Sequence, residues 1–111
     1  MKIIKDKILN FGEEYKNVKF IRCLNFGAYL ENCIWENGSW WDGDMFDGMW
    51  KGGIWLTGIW HIGIWEDGIW GDGHWLNGVW ECGIFSGGVF HGGTWKGGIK
   101  NGGVWRENNK R

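Results

Sequence analysis

Three histidines and three cysteines are the side chains in this chain best suited to bind a metal or to act as nucleophiles and bases. They are His61, His74, His91, Cys23, Cys33 and Cys82. The cysteines are odd in number and have no C-x-x-C spacing, which argues against a disulfide framework and against a zinc site. Free thiols are typical of a reducing compartment, and the apolar runs are too short for a signal peptide or a membrane span. We therefore expect a cytoplasmic protein with no membrane contact.

Carboxylates form a second group that could act together. Residues 23–95 carry nine acidic side chains against the single cation Lys51, a net charge of −8, whereas residues 1–22 and 96–111 are net positive. The nine are Glu31, Glu36, Asp42, Asp44, Asp47, Glu66, Asp67, Asp72 and Glu81. Duplex DNA carries one charge per about 1.7 Å. This acidic belt is therefore a candidate mimic of DNA toward a DNA-binding enzyme.

A simpler role for the same acids is turn formation. Four aspartates directly precede a glycine, and an Asp-Gly pair favours a tight turn. We favour this interpretation over mimicry. The repeated Gly-Gly pairs are not a phosphate-binding loop, because they recur at a fixed period and no G-K-[ST] follows them.

The elements that position these groups follow from a five-residue repeat. Glycine occupies every fifth position from Gly38 to Gly103, and the residue two places later is nearly always Trp or Phe. Before Gly38 the small position holds Val18, Cys23, Ala28 and Cys33, and the large position holds Phe20, Asn25, Leu30 and Trp35. Residues two apart in an extended segment point to the same side, so small and large residues should share one interior.

This pattern resembles that of the pentapeptide-repeat family. The segments Val18–Phe20, Ala28–Leu30 and Cys33–Trp35 carry the resemblance most directly. It implies an all-β, right-handed quadrilateral β-helix with about 20 residues per coil. The register would cover residues 18–107 in roughly four and a half coils, a rod on the order of 20 Å long.

The two ends fall outside the repeat. Residues 1–17 have apolar side chains at helical spacing, so we expect an N-terminal cap over the first coil, formed either by a short amphipathic helix or by an irregular segment. Residues 108–111 form a charged tail. The whole chain is thus one domain, with a cap, a solenoid and a tail.

One alternative turns the strands over, so that the Ile and Val between the small and large positions point inward and the Trp residues point outward. Lys19 and Ser39 would then face the core. Burying an unpaired Lys costs more than exposing several Ile side chains, so we expect the Trp residues inside.

The coil length that the resemblance implies predicts which side chains stack. The four predicted ladders are Trp35, Trp55, Trp75, Trp95; Phe20, Trp40, Trp60, Trp80, Lys100; Leu30, Trp50, Trp70, Phe90; and Asn25, Met45, Trp65, Phe85, Trp105.

The same register places the residues that could do chemistry. No two histidines share a ladder, Cys23 and Cys33 should be buried and inert, and Cys82 lies at a corner. Asn25 and Lys100 should lie close enough to the ends to reach water. Ile54 should stack with His74, and Leu56 with Leu76, which gives a candidate partner patch.

The sequence therefore favours a non-enzymatic solenoid that serves as a rigid scaffold for a protein partner or for a homodimer. It suggests no catalytic residue, metal, cofactor, small-molecule substrate or direct nucleic-acid contact. The first alternative, which the resemblance to the pentapeptide-repeat family implies, is a DNA-mimicking inhibitor of a topoisomerase or another DNA-binding enzyme. The second is a carbohydrate-binding rod, which requires exposed Trp side chains.

Overall fold

A computed structural model describes residues 1–106, so the predicted tail at 108–111 lies outside the described part of the chain. These residues form parallel strands stacked into a β-solenoid of about 7 turns, with overall dimensions of 40 × 23 × 21 Å. The all-β prediction is confirmed. Over residues 1–106, no helix is long and apolar enough to cross a membrane.

Sixteen strands make up one continuous sheet that winds around the core. They are β1 (Lys2–Lys5), β2 (Ile8–Leu9), β3 (Glu14–Lys16), β4 (Val18–Ile21), β5 (Cys23–Trp35), β6 (Gly38–Trp50), β7 (Ile54–Trp55), β8 (Ile59–Trp65), β9 (Ile69–Trp70), β10 (His74–Trp75), β11 (Val79–Trp80), β12 (Ile84–Phe85), β13 (Val89–Phe90), β14 (Thr94–Trp95), β15 (Ile99–Lys100) and β16 (Val104–Trp105).

Strand pairing shows that the solenoid has a 15-residue turn. Trp65 pairs with Trp50 on one neighbouring turn and with Trp80 on the other. Each turn therefore has three five-residue sides, and the predicted four-sided coil is wrong. The shorter turn also explains why the rod is longer than predicted, since the same chain makes more turns.

Three large side chains close the interior of each turn. Trp55, Trp60 and Trp65 meet edge to face, with ring centroids 6.0, 5.9 and 6.5 Å apart. Each ring also stacks on the ring one turn away, as Trp55 does on Trp70 at 4.7 Å and 9°. Three indoles thus fill the cross-section, and edge-to-face and stacked contacts are the geometries that aromatic rings prefer.

The observed interior ladders replace the four predicted ones. On the first side they are Phe20, Trp35, Trp50, Trp65, Trp80 and Trp95; on the second, Asn25, Trp40, Trp55, Trp70, Phe85 and Lys100; on the third, Tyr15, Leu30, Met45, Trp60, Trp75, Phe90 and Trp105. We refer to these as the first, second and third sides below.

The inside–outside prediction is confirmed. Every repeat-position indole from Trp35 to Trp80 is fully buried, whereas Ile54 and Ile69 are exposed by 42% and 41%. The chain therefore does not adopt the overturned strand. The carbohydrate-binding alternative required that strand, so it loses its structural basis.

The N-terminal segment adds a further turn of paired strands, so it forms neither the short helix nor the irregular cap that we expected. Strand β1 pairs with β4, so that Ile4 lies beside Phe20, and Leu9 of β2 lies beside Asn25 and is fully buried. This turn contains one residue more than the later ones. The apolar residues that suggested a helix include Ile8 and Phe11, which are exposed by 53% and 89%.

The corners are of two kinds. From Gly38 to Gly103 the glycine at every fifth position has a positive φ, which a side chain rarely permits. In the first turns the small position holds a residue with a side chain, and the positive φ moves to the residue before it, as at Asn17, Arg22 and Asn32. The two corner types explain why glycine becomes obligatory only after the second turn.

The buried indole N–H groups differ in their hydrogen bonding. Trp70 and Trp75 donate to the carbonyl oxygens of Gly87 and Gly92, at 3.1 and 3.0 Å. Within residues 1–106, seven other buried indole N–H groups have no acceptor. These belong to Trp35, Trp40, Trp50, Trp55, Trp60, Trp65 and Trp80.

Trp60 and Trp75 offer a matched test of this difference, because they stack on each other in one ladder at 5.0 Å. Replacing either by Phe removes a similar volume, but only Trp75→Phe leaves the Gly92 carbonyl without its indole donor. We expect Trp75→Phe to lower the free energy of unfolding by about 1 kcal/mol more than Trp60→Phe does. Urea denaturation of both variants measures the difference. Equal losses would show that the indole hydrogen bond contributes nothing.

Candidate functional site

The predicted partner patch is not assembled. Ile54 lies on the second side and pairs with Ser39 and Ile69, whereas His74 lies on the third side beside Ile59 and Val89. Leu56 comes two residues after Ile54 and lies on the second side. Leu76 comes two residues after His74 and lies on the third side. All four side chains are exposed, but they belong to two different sides of the solenoid. The four-sided register placed them together wrongly.

The second side instead presents two outward ladders without a single charge. The first ladder holds Leu24, Ser39, Ile54, Ile69, Ile84 and Ile99. The second ladder, two residues further along each strand, holds Phe26, Trp41, Leu56, Gly71, Ser86 and Asn101. We call these twelve positions the uncharged face.

Several large side chains of the uncharged face are substantially exposed. Trp41 and Phe26 are exposed by 49% and 43%, and their rings lie 5.6 Å apart. Leu56, Ile54, Ile69 and Ile99 are also exposed. The face is therefore a contiguous apolar surface along the length of the rod.

The other two sides carry the charges. On the first side, the position after the interior residue holds Glu36, Lys51, Glu66, Glu81 and Lys96. On the third side, Glu31, Asp44 and Arg106 accompany the three histidines. Since the chain is 23% charged, twelve uncharged outward positions on one side form a distinct surface.

The nine acids of the predicted DNA-mimicking surface are spread over all sides and corners. Four of them lie near a basic group: Glu31 near Lys16, Glu36 near Lys19 and Glu81 near Lys96, each at 3.8 Å, and Asp44 near His61 at 3.6 Å. Asp42, Asp67 and Asp72 each accept the N–H of the following glycine at 2.8 Å. Asp47 lies at a corner before Gly48, and Glu66 lies on the first side. The hydrogen bonds support the turn-forming role, and the structure does not bring the nine onto one surface.

The cysteines lie largely as the small-position pattern predicts. Cys23 and Cys33 are buried and free, and burial raises the pKa of the Cys33 thiol. A buried thiol with a raised pKa is a poor nucleophile. Cys82 is exposed and free at a corner.

Two histidines meet, although the predicted register placed no two histidines on one ladder. His74 Nδ1 lies 3.0 Å from His91 Nε2, and the two rings are inclined by 25°. Burial lowers the pKa of His91, and the charges of His74 and Arg106 lower it further. His61 lies elsewhere on the third side, beside Asp44. The sequence feature that would have indicated this contact is the spacing of His74 and His91, which is one 15-residue turn plus two positions.

The two polar residues of the interior ladders behave differently from each other. Asn25 is fully buried, contrary to expectation, because Leu9 of the N-terminal turn covers it. Its Oδ1 accepts the N–H groups of Gly27 and Ala28 at 3.0 and 2.7 Å, so it holds the local corner in place. Lys100 is exposed as expected, and its Nζ lies 4.4 Å from the centre of the Trp105 ring. A cation–π contact thus covers the end of the aromatic core.

Comparison of the chain with protein-family models, with curated proteins and with solved structures finds no match. Any function must therefore lie in the side chains that the solenoid holds outward.

Proposed function

We propose that this chain is a rigid, non-enzymatic interaction module that binds protein through the uncharged face. The supporting observation is the segregation of charge, since twelve outward positions on the second side carry none while the other two sides carry many. Interfaces have apolar centres depleted in charge and polar rims. Arg22 and Asp67 at one flanking corner, and Asp42 at the other, would supply such a rim.

The exposed area of this face is large for a protein surface of this size. Six of its eight large side chains are exposed by 38–57%, and at about 200 Å² for a large side chain these six present on the order of 500 Å² of apolar surface. This lies at the upper end of the range for the largest apolar patch of a monomer, about 300–600 Å². Patches of that size commonly mark interaction sites.

The occupant we propose is a second copy of the chain. Two uncharged faces can meet without leaving any charge unpaired, and they would together bury on the order of 1,000 Å², about the minimum for a specific interface. A symmetric contact of one surface with itself is the commonest arrangement of soluble oligomers. The continuous backbone ladder on every side keeps each face rigid, which reduces the entropy that binding must overcome.

Ile69 provides the test, with Ile64 as its matched control. Both are outward Ile residues of the same region, but Ile69 lies on the second side and Ile64 on the first. We expect the wild-type mass in sedimentation equilibrium to approach twice 12.8 kDa with increasing concentration. Ile69→Lys should shift the protein to monomer, because an unpaired charge would be buried at the interface, while Ile64→Lys should still dimerise.

Two outcomes would contradict the proposed dimer. One is a wild-type chain that stays monomeric at every concentration tested, which would rule out the second copy as occupant. The other is equal weakening by both Lys variants, which would show that the contact does not use the second side.

A further inference from the structure

We propose that His74 and His91 form a binding site for a divalent transition metal of the copper and nickel type on the third side of the solenoid. The site is independent of the uncharged face. It rests on the geometry of two imidazoles that the 15-residue turn brings together.

The backbone fixes both histidines. His74 is the outward residue of β10, and its strand pairs with β13. His91 directly follows β13, and its N–H donates to the Trp75 carbonyl oxygen at 2.8 Å. Both backbones are thus held by adjacent turns of the sheet, and the hydrogen bond between the imidazoles keeps the two rings close together before any ligand binds. Such preorganisation reduces the cost of chelation.

The distance between the two nitrogens suits a chelated metal. Metal–imidazole bonds are about 2.0–2.1 Å long. At that length, the 3.0 Å between His74 Nδ1 and His91 Nε2 corresponds to an angle at the metal of about 94°. This is nearer to the right angle of square-planar and octahedral sites than to a tetrahedral angle. Imidazole pairs in square-planar or tetragonal geometry are typical of Cu²⁺ and Ni²⁺.

In the free protein the same two nitrogens share one hydrogen, with one ring donating and the other accepting. The metal would take the place of that hydrogen. The displaced proton moves to the other nitrogen of its own ring by way of water, so both rings stay neutral and each offers a lone pair. His74 then carries its hydrogen on Nε2, and His91 on Nδ1.

The two histidines supply only part of the coordination shell of a metal. Within residues 1–106, no three His, Cys, Asp or Glu side chains lie close enough together to hold a metal. Water or an added ligand would therefore complete the coordination. Arg106 is a nearby cation that disfavours a bound metal, so we expect moderate affinity rather than the tight binding of a structural site.

Nickel is the better probe, because the exposed Cys82 thiol can reduce Cu²⁺. The experiment is calorimetric titration of the untagged protein with Ni²⁺ above the pKa of His91, so that protons do not compete. Removing either ligand converts chelation into binding by one imidazole, which should weaken the affinity at least about tenfold. We expect this loss for His74→Ala and for His91→Ala, and the double variant should also lose the remaining binding by a single imidazole of the pair.

His61→Ala is the matched control, because His61 also lies on the third side but outside the pair. It should bind Ni²⁺ as the wild type does. Changes in the position or width of amide signals on addition of Ni²⁺ should centre on residues near His74 and His91. The proposal is overturned if the double variant binds Ni²⁺ as tightly as the wild type, or if His61→Ala weakens binding as much as the pair variants do.

Discussion

Replacing Gly63 by Ala is expected to lower the free energy of unfolding by at least about 3 kcal/mol, or to prevent folding of the central turns. Gly63 has a φ of +135°, outside the range that a residue with a side chain adopts readily. An added Cβ would overlap the Gly48 carbonyl oxygen and would lie 2.8 Å from the Gly48 nitrogen. These are backbone atoms of the adjacent turn, so the strain cannot be relieved by rotating a side chain.

Gly52→Ala is the control for this prediction. Gly52 has no positive φ, and its added Cβ would meet only the Glu36 carbonyl oxygen at 3.6 Å, an ordinary contact. We expect the free energy of unfolding to change by less than about 1 kcal/mol. The change should be a small increase, because Ala restricts the unfolded chain more than Gly does. Urea denaturation followed by Trp fluorescence measures both variants. A Gly63→Ala protein as stable as the Gly52→Ala protein would contradict this account of the corner.

The corner geometry also explains the pairing of Gly with Trp. A glycine two residues before an indole could serve either to make room for that ring or to let the backbones approach. In the structure the nearest obstacle to a side chain at Gly58 is the carbonyl of Gly43, with the Trp40 indole nitrogen further off at 3.2 Å. Glycine therefore serves chiefly to let consecutive turns approach each other, and the space it leaves for the indole is secondary.

The sequence predicts the structure of one side of the solenoid better than it predicts how many sides make up a turn. A period of five gives the length of one side and, from residues such as Val18 and Phe20, which side chains point inward. The number of sides in a turn depends on how the corners bend and on how many rings close the interior. Three-sided and four-sided coils both contain a whole number of five-residue sides, so the pattern of the sequence does not distinguish them.

The number of sides in a turn, which the sequence does not determine, explains the errors at the candidate site. With a four-sided turn, Ile54 falls beside His74 and no histidines meet. With a three-sided turn, Ile54 aligns with Ile69, and His74 lies near His91. The uncharged face was present in the sequence as well, but it appears only when the outward residues are grouped by the observed turn. Fold class and burial were predictable, whereas long-range neighbours required the register.

The four-sided coil was implied by the resemblance to pentapeptide-repeat proteins rather than by the residues themselves. The shared features are the five-residue period and the inward small and large positions. We therefore propose a resemblance to that family in the five-residue repeat, but not in the number of sides of the cross-section. Trp in place of a smaller central residue offers a physical reason for the difference, because three indoles already fill the interior of one turn.

Trp65→Ala should be the most damaging single truncation of the core. Trp65 is fully buried and stacks between Trp50 and Trp80, at 4.7 and 4.8 Å. It also meets the rings of Trp60 and Trp70 edge to face. Removing a buried aromatic side chain costs about 3–5 kcal/mol, and partial collapse is difficult here because the strands on both neighbouring turns are fixed by backbone hydrogen bonds. A loss of this size is a large part of the stability of a small domain.

Trp41→Ala is the matched control, since Trp41 is exposed by 49% and packs chiefly on Phe26. Its loss should cost less than about 1 kcal/mol when unfolding is measured at concentrations where the chain is monomeric, because Trp41 also belongs to the uncharged face. Because each turn of a solenoid contacts only its neighbours, Trp65→Ala should also weaken the coupling between the two halves. Amide hydrogen exchange would then show that the turns after Trp65 open at lower free energy than those before it. Uniform loss of protection along the chain would mean that the solenoid unfolds as one unit, and a loss no larger than that of Trp41→Ala would show that the stacked indoles do not hold the turns together.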